Sequence, residues 1–189
     1  MTHAQPTLRT ERLTLRPFQA TDAPDVQRLA GEWEVANTTL NIPHPYPDGA
    51  AEAWIATHSG HYESGKAVIF AITTRGDGAL VGAVGLSVEP VHARGELGYW
   101  VARPHWAKGF ATEAGLTIVA YGFETLALNR IEAVHMTRNP ASGRVMVKLG
   151  MRLEGAQRER IRRSGQFEDV ATYAILRAEW TAGRATLAP

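Results

Sequence analysis

Short apolar runs, bounded by glycine and proline, divide the chain into segments of strand or helix length. Residues 68–74 and 80–88 lie on either side of Arg-Gly-Asp-Gly, a strong turn signal, and predict two paired strands. The sequence ELGYWV at 96–101 predicts a third strand nearby. The runs at 151–162 and 167–176 flank Ser-Gly-Gln and predict a hairpin near the C-terminus.

Helical spacing marks three further segments. Apolar residues between 111 and 126 recur at helical intervals, and residues 141–149 predict a shorter helix. Thr21 or Asp22 can cap a helix that runs through Ala30.

The N-terminal third is less regular. Residues 8–17 alternate imperfectly and stop at a proline, which predicts a first strand, and residues 130–136 predict another. Residues 37–47 hold three prolines within five positions, so they predict an irregular surface segment rather than a helix or central strand. Asp48 is placed to cap the helix that follows.

This order of elements indicates the fold class. Hairpins that alternate with strand–helix–strand steps are typical of an α/β sandwich built around one mixed sheet. The length of 189 residues and the apolar fraction of 44% fit one globular domain with a hydrophobic core.

Charge and composition exclude several functions. The net charge of +1 gives no support for binding nucleic acid. The chain has no cysteine, which excludes disulfides, thiolate metal sites and a cysteine nucleophile. No apolar run reaches the length of a signal peptide or a membrane span, so a cytoplasmic protein without a membrane partner is expected.

Two groups of polar residues have ordinary interpretations. The seven histidines lack metal-ligand spacing, and His58 and His61 are interpreted as surface residues, so no metal site is predicted. The basic stretch 158–163 predicts a solvated strand face, with contact to an acidic partner or a phosphate as the alternative.

The segment 96–114 carries the strongest chemical signal. A strand that leads through a loop into a helix near Gly109 leaves the first helical N–H groups unpaired, and these favour a phosphate anion. The strings of the Walker loop and of the dinucleotide fingerprint are absent, so kinase and dehydrogenase functions lose their main support.

The string ELGYWVARPHWAKGFATEA at 96–114 resembles the coenzyme-A-binding core of the GNAT superfamily of N-acetyltransferases. It looks most like the branch that contains the ribosomal-protein N-terminal acetyltransferases. The likeness continues through YGFETLALNRIEA at 121–133 and RNPASGRVMVKLGMRLEG at 138–155, and it includes the opening LRTERLTLRP and the closing YAILRAEW. Only the region 33–65 lacks a matching motif.

The resemblance implies the GNAT fold, a mixed and mostly antiparallel central sheet flanked by helices, in which strands four and five splay apart. A single N-acetyltransferase domain would then span residues 1–189. Its parts would be an N-terminal strand, helices and acceptor side at 8–65, an acetyl-coenzyme-A-binding core at 66–155, and a C-terminal hairpin and tail at 156–189. Homodimers are common in this family, so a homodimer is also implied.

The resemblance implies a site for acetyl-coenzyme A as co-substrate, without a metal. The main-chain amides of the loop and helix start would hold the pyrophosphate, the third predicted strand would pair with the pantetheine arm, and the amide of Asn139 would contact the cofactor. Asn139 could instead form an Asn-Pro turn that starts the following helix. The implied binding residues are Tyr99, Trp100, Val101, Trp106, Ala107, Lys108, Gly109, Phe110, Ala111, Thr112, Asn139 and Ser142.

Proton transfer is assigned by the same resemblance. Glu96 matches the family's candidate base, and its alternative is a solvated charge at a strand end. Many members use a tyrosine to protonate the leaving thiolate, but Met146 stands at that position. Ser142 matches a serine that this branch places near the sulfur, and helix capping is its competing role.

The acceptor is left open between a protein N-terminal α-amine and a small-molecule amine. The resemblance places one wall of the acceptor cleft near Trp33, Asn37 and Tyr46. A cleft lined with carboxylates would favour polyamines or aminoglycosides, and an open, less charged groove would favour a peptide. A coenzyme-A-binding sensor module without efficient turnover is the second hypothesis.

Overall fold

The computed structural model describes residues 4–185. The strands are β1 Leu8–Arg9, β2 Leu13–Arg16, β3 Ala67–Thr74, β4 Leu80–Glu89, β5 Arg94–Val101, β6 Arg130–Met136, β7 Arg152–Arg163 and β8 Gln166–Leu176. The helices are α1 Ala23–Ala30, α2 Trp33–Ala36, α3 Ala50–Ala56, α4 His58–Glu63, α5 Phe110–Glu124, α6 Pro140–Lys148 and α7 Arg177–Ala185.

The strands form one sheet in the order β1-β2-β3-β4-β5-β6-β8-β7. All neighbours are antiparallel except β5 and β6, which run parallel. These two strands pair only from Arg94 to Glu96 on β5 and then separate. The prediction of a mixed, mostly antiparallel sheet with helices and a splayed central pair is confirmed, and the splay is where a ligand can reach the middle of the sheet.

The sheet is covered on both faces. One core cluster packs α5 and α6 against β2 to β6 and includes Phe70, Leu86 and Ile118. The second packs α1 and α3 on the other face, against Ala83 and Trp100. β3 and most of β4 are buried on both faces, whereas β5 is exposed on one face at Arg94, Glu96 and Gly98. None of the described helices has the length and hydropathy that crossing a bilayer requires.

Three details of the N-terminal third differ from the sequence prediction. The predicted strand 8–17 is two short strands, β1 and β2, that form a hairpin with each other. Asp48 does not cap the next helix, since its carboxylate accepts a hydrogen bond from Gln27 and Gly49 occupies the N-cap position of α3. Asp22 stands at the N-cap of α1, but its carboxylate pairs with Arg16 instead of the helix N–H groups.

His58 is buried, which corrects its interpretation as a surface residue. Its ring packs edge-on against Phe18 and Trp54, at centroid distances of 5.3 and 4.4 Å. Neither ring nitrogen has a hydrogen-bond partner among the described residues. Burial, with a smaller effect from the charge of His61, lowers the pKa of His58 from 6.5 to about 4. The folded protein therefore holds this imidazole neutral.

We expect this histidine to make folding sensitive to mild acid. Between pH 6.5 and about 4 the unfolded chain binds a proton at His58 that the folded protein does not. The free energy of unfolding therefore decreases as the pH is lowered through that window. The loss approaches about 3 kcal/mol at its lower end. Urea unfolding at pH 7 and pH 4.5 should show a smaller drop for His58→Phe than for the parent, whereas His61→Asn, which removes only the lesser cause, should reduce the drop much less. An equal drop in the His58→Phe variant would contradict the assignment.

Candidate active site

The loop between β5 and α5 presents a row of main-chain N–H groups. Ala107 and Gly109 both adopt left-handed backbone conformations, with φ of 59° and 82°. The amides of residues 107–112 donate to no acceptor among the described residues, and the helix begins its own bonding with Glu113 N–H to Gly109 O. Alternation of left- and right-handed residues before a helix gathers N–H groups into an anion-binding concavity.

The N-terminal hairpin fixes this loop from outside. Glu113, in the first turn of α5, accepts hydrogen bonds from Thr10 Oγ1, from Arg12 N and from Arg12 Nε, the last at 2.7 Å. The guanidinium of Arg12 also donates to Lys108 O at 2.9 Å and lies 4.8 Å from the ring centroid of Phe110. The loop conformation is therefore held by residues about one hundred positions away in sequence.

Trp106 ties the same loop back to the sheet. Its indole Nε1 donates to Val101 O at 2.6 Å, and its ring is 41% exposed. The structure gives its polar atom a main-chain partner at the end of β5.

The edge of β5 beyond Glu96 is open on the side away from β4. Ala102 N–H bonds Val81 O, so in this antiparallel ladder Tyr99 and Val101 direct their backbone groups the other way. On that side β6 has already diverged. Val101 O is bonded to Trp106, so an extended ligand arm can pair with the backbone groups of Tyr99 and with the N–H of Val101.

A cavity of about 540 Å³ follows this edge and the loop. Its walls include the loop residues Ala107 and Gly109 but not the side chain of Lys108. Arg144 and Lys148, one turn apart on α6, add two cations to its rim. Its other lining residues are Val35, Thr38, Thr39, Tyr99, Trp100, Val101, His105, Trp106, Phe110, Ala111, Thr112, Asn139, Ala141, Ser142 and Val145.

A second cavity, of about 430 Å³, opens on the other side of the splay. Glu96 lines it and is the only carboxylate among its lining residues. Most of the remaining wall is apolar, with Tyr46 and Trp54 on one side and Met136 on the other. Glu96 has no hydrogen bond or ion pair with any other described residue.

The two cavities meet at the splay. Thr38, Thr39, Tyr99, Trp100 and Ser142 line both of them. β5 has no bulge, so its side chains alternate strictly: Leu97 and Tyr99 face α5, and Glu96 faces the second cavity together with Trp100. Tyr99 and Ser142 therefore lie at the junction, and Glu96 belongs to the wall of the smaller cavity.

Ser142 and Tyr99 form a hydrogen-bonded pair across the splay. Their hydroxyl oxygens lie 2.7 Å apart, and the hydroxyl of Tyr99 also donates to Ser142 O at 3.2 Å. Burial raises the pKa of Tyr99 to about 12, partly offset by the hydrogen bond to Ser142. The tyrosine therefore stays protonated. The hydroxyl of Ser142 bonds to Tyr99 and does not cap α6.

Asn139 takes the N-cap position of α6. Its Oδ1 accepts a hydrogen bond from Ser142 N at 3.4 Å, and its Nδ2 donates to Thr38 O at the same distance. The residue also lines the larger cavity. It thus joins the helix start to the segment after α2 while its side chain remains at the cavity wall.

The three residues assigned to the acceptor wall occupy different places. Tyr46 lines the smaller cavity. Trp33 is 48% exposed and packs edge-on against His44 outside both cavities. Asn37 also lies outside them and is bonded through its side-chain oxygen to Arg138.

Sequence reasoning missed several residues of the site. The hydroxyl of Tyr99 and the rim cations Arg144 and Lys148 were not singled out for side-chain roles. The alternation of side chains along β5 predicts on which face of the sheet Tyr99 lies, but it does not predict that the tyrosine hydroxyl reaches α6. The role of Arg12 could not be predicted from the local sequence, because its partners Glu113 and Lys108 lie about one hundred positions away.

Comparison with known proteins agrees with this geometry. A family model described as an acetyltransferase (GNAT) domain matches residues 12–152. An N-acetyltransferase named p20 from Bacillus licheniformis is 35% identical over 92% of this chain and 98% of its own length. The ribosomal protein uS5-alanine N-acetyltransferase of Escherichia coli is 26% identical over 94% of both chains.

A solved structure shares the fold. The ribosomal-protein α-N-acetyltransferase RimL, in complex with coenzyme A, superposes with a TM-score of 0.83 over 90% of this chain and 98% of its own. At 18% identity this comparison shows a shared fold only, and the cavities are described from the residues of this chain alone.

Proposed function

The chain belongs to the GNAT family of acetyltransferases, and from this premise we propose that it acetylates a single primary amine held beside Glu96. It is an acetyl-coenzyme-A-dependent N-acetyltransferase. The observation that carries the proposal is the meeting of the two cavities at the splay, where an amine in one lies next to a thioester in the other. That arrangement supports direct attack in a ternary complex.

We assign cofactor binding to this chain's main-chain donors. The free amides of residues 107–112 fit a pyrophosphate, and the open edge of β5 fits the extended pantetheine arm. Arg144 and Lys148 supply positive charge for the remaining phosphate. Bound acetyl-coenzyme A supplies the activated acetyl group, and the protein supplies its position.

Glu96 accepts the proton of the amine in this proposal. An α-amine has a pKa of about 8 and a lysine-like amine about 10.4, so most acceptors arrive protonated at neutral pH. A carboxylate without an internal partner, in the wall of the smaller cavity, can take that proton directly or through one water. We assign stabilisation of the developing oxyanion to a main-chain N–H of the segment Tyr99–Val101.

The cleft favours a monoamine with an apolar neighbour. With Glu96 as its only lining carboxylate and a mostly apolar wall, it offers one site for one ammonium group. Polyamines and aminoglycosides carry several cations and would leave the others unpaired in the cavity. The alanine-acetylating relative supports a protein α-amine as the acceptor, with small-molecule monoamines as the second class.

An amine panel tests this proposal. Release of free thiol from acetyl-coenzyme A would be followed with alanine-starting and serine-starting peptides, phenylethylamine, spermidine and an aminoglycoside. Turnover of peptides or of phenylethylamine, with little on the polycations, is the expected result. Turnover of spermidine alone would overturn the acceptor class, and tight cofactor binding without thiol release would favour a sensor module.

The hydroxyl pair gives a prediction about the leaving thiolate. We assign to Ser142 the hydrogen bond to the departing sulfur, with Tyr99 orienting its hydroxyl. Ser142→Ala should lower kcat by about 10- to 100-fold, and Tyr99→Phe by less, with little change in acetyl-coenzyme A affinity. Steady-state kinetics and calorimetry would measure both effects, with exposed Ser64→Ala as control. An unchanged kcat in Ser142→Ala would leave this serine with a packing role only.

A further inference from the structure

The guanidinium of Arg163 is directed into the protein. It lies at the end of β7 and donates hydrogen bonds to three main-chain oxygens, those of Ala36, Leu40 and Ile42, at 2.6, 3.3 and 2.5 Å. The basic stretch that contains it was predicted to be a solvated strand face. That prediction is wrong for Arg163, although Arg158, Arg160 and Arg162 are exposed.

A second arginine, Arg138 in the turn after β6, holds the same region. Arg138 donates to Asn37 O at 2.8 Å and to its Oδ1 at 3.2 Å, and its Nε pairs with Glu168. Together with the bond from Asn139 to Thr38 O, side chains from beyond β6 occupy five carbonyls between residues 36 and 42.

These carbonyls belong to the segment that forms one wall of the smaller cavity. Residues 37–43, here called the acceptor loop, follow α2, and residues 38–43 all line that cavity. The loop has no strand to pair with, so its polar backbone groups depend on donors from elsewhere. An arginine has five donors in a rigid fork, which suits it to hold several carbonyls in one arrangement.

We propose that Arg163 is a positioning residue for the acceptor, which shapes the amine-binding wall from behind through the acceptor loop. The inference rests on the proposed function of the smaller cavity. Because carbonyls of the acceptor loop are bonded to Arg138 and Arg163, the loop presents side chains instead of these carbonyl oxygens to the amine. The guanidinium charge of Arg163, which has no carboxylate partner among the described residues, also disfavours an acceptor with several positive charges.

Loop order is the first test and needs no substrate. Hydrogen–deuterium exchange should show faster exchange at residues 36–43 in Arg163→Met than in the parent, with α5 unchanged. Arg163→Lys, which keeps the charge but loses the fork, should fall between them. The matched control is Arg160→Met, an exposed arginine on the same strand. Equal exchange in the parent and Arg163→Met would overturn the proposal, and faster exchange throughout would show a general role in stability.

Kinetics is the second test, with the best monoamine from the amine panel. Arg163→Met should raise KM for the amine about tenfold, which corresponds to about 1.4 kcal/mol of acceptor binding, while KM for acetyl-coenzyme A and kcat change less than about twofold. An equal rise in both KM values, or none, would overturn the role in acceptor binding. If no amine is turned over, the proposed function fails, while the exchange result still decides whether Arg163 orders the loop.

Discussion

Glu96→Gln should lower kcat by about 100- to 1,000-fold at neutral pH while leaving acetyl-coenzyme A affinity unchanged, as expected for the loss of a general base. Glutamine keeps the size and polarity of the side chain but cannot accept a proton. Only amine molecules that are already neutral would then react, about a tenth of an α-amine at pH 7, and their attack would also lack a proton acceptor in the transition state. Because the cofactor cavity does not include Glu96, the substitution should leave its walls intact.

The pH profile separates proton acceptance from other effects. In the variant, turnover should rise about tenfold per pH unit until the pKa of the acceptor amine is reached, about 8 for an α-amine. Glu132→Gln is the control, since Glu132 lies opposite Glu96 on β6 but is bonded to Arg94 and Arg130. Turnover in Glu96→Gln equal to that of the parent would remove this residue from the mechanism.

The central sheet could be predicted to within a few residues, because its strands are apolar runs separated by turn residues. The structure places β3 at Ala67–Thr74 and β6 at Arg130–Met136, close to the predicted 68–74 and identical with 130–136. The N-terminal strand was wrong in detail. Thr10 and Arg12 turn towards Glu113 there, and this long-range contact interrupts a pattern that reads locally as one strand.

The site was predictable where the main chain determines it. The loop before α5 follows from the order strand, loop, helix, whereas the free edge of β5 was expected only from the resemblance to the GNAT superfamily. The acceptor side was not, because its wall is an irregular loop whose conformation depends on Arg138 and Arg163, about one hundred or more positions away in sequence. Local patterns carry no information about such long-range pairs. The contact between the hydroxyls of Tyr99 and Ser142 could not be predicted for the same reason.

Gly109→Val should weaken binding of coenzyme A by about 100-fold or more. Gly109 has φ of 82° at the N-cap of α5, a conformation that a β-branched residue adopts only with strain. A Cβ there would also lie 3.3 Å from Nη2 of Arg12, which holds the loop. Rotation of the backbone would redirect the amides of residues 107–112, and loss of two hydrogen bonds to a charged phosphate costs about 3 kcal/mol or more.

Gly49→Val supplies the matched control for this effect. Gly49 is the N-cap of α3, also left-handed with φ of 76°, and no atom lies within 4 Å of the position of its Cβ. Both substitutions impose similar backbone strain and should lower the melting temperature by similar amounts, but only Gly109→Val should change the calorimetric Kd. Unaltered affinity in the folded Gly109→Val protein would mean that the amides after β5 do not hold the pyrophosphate, and the cofactor geometry proposed above would then fail.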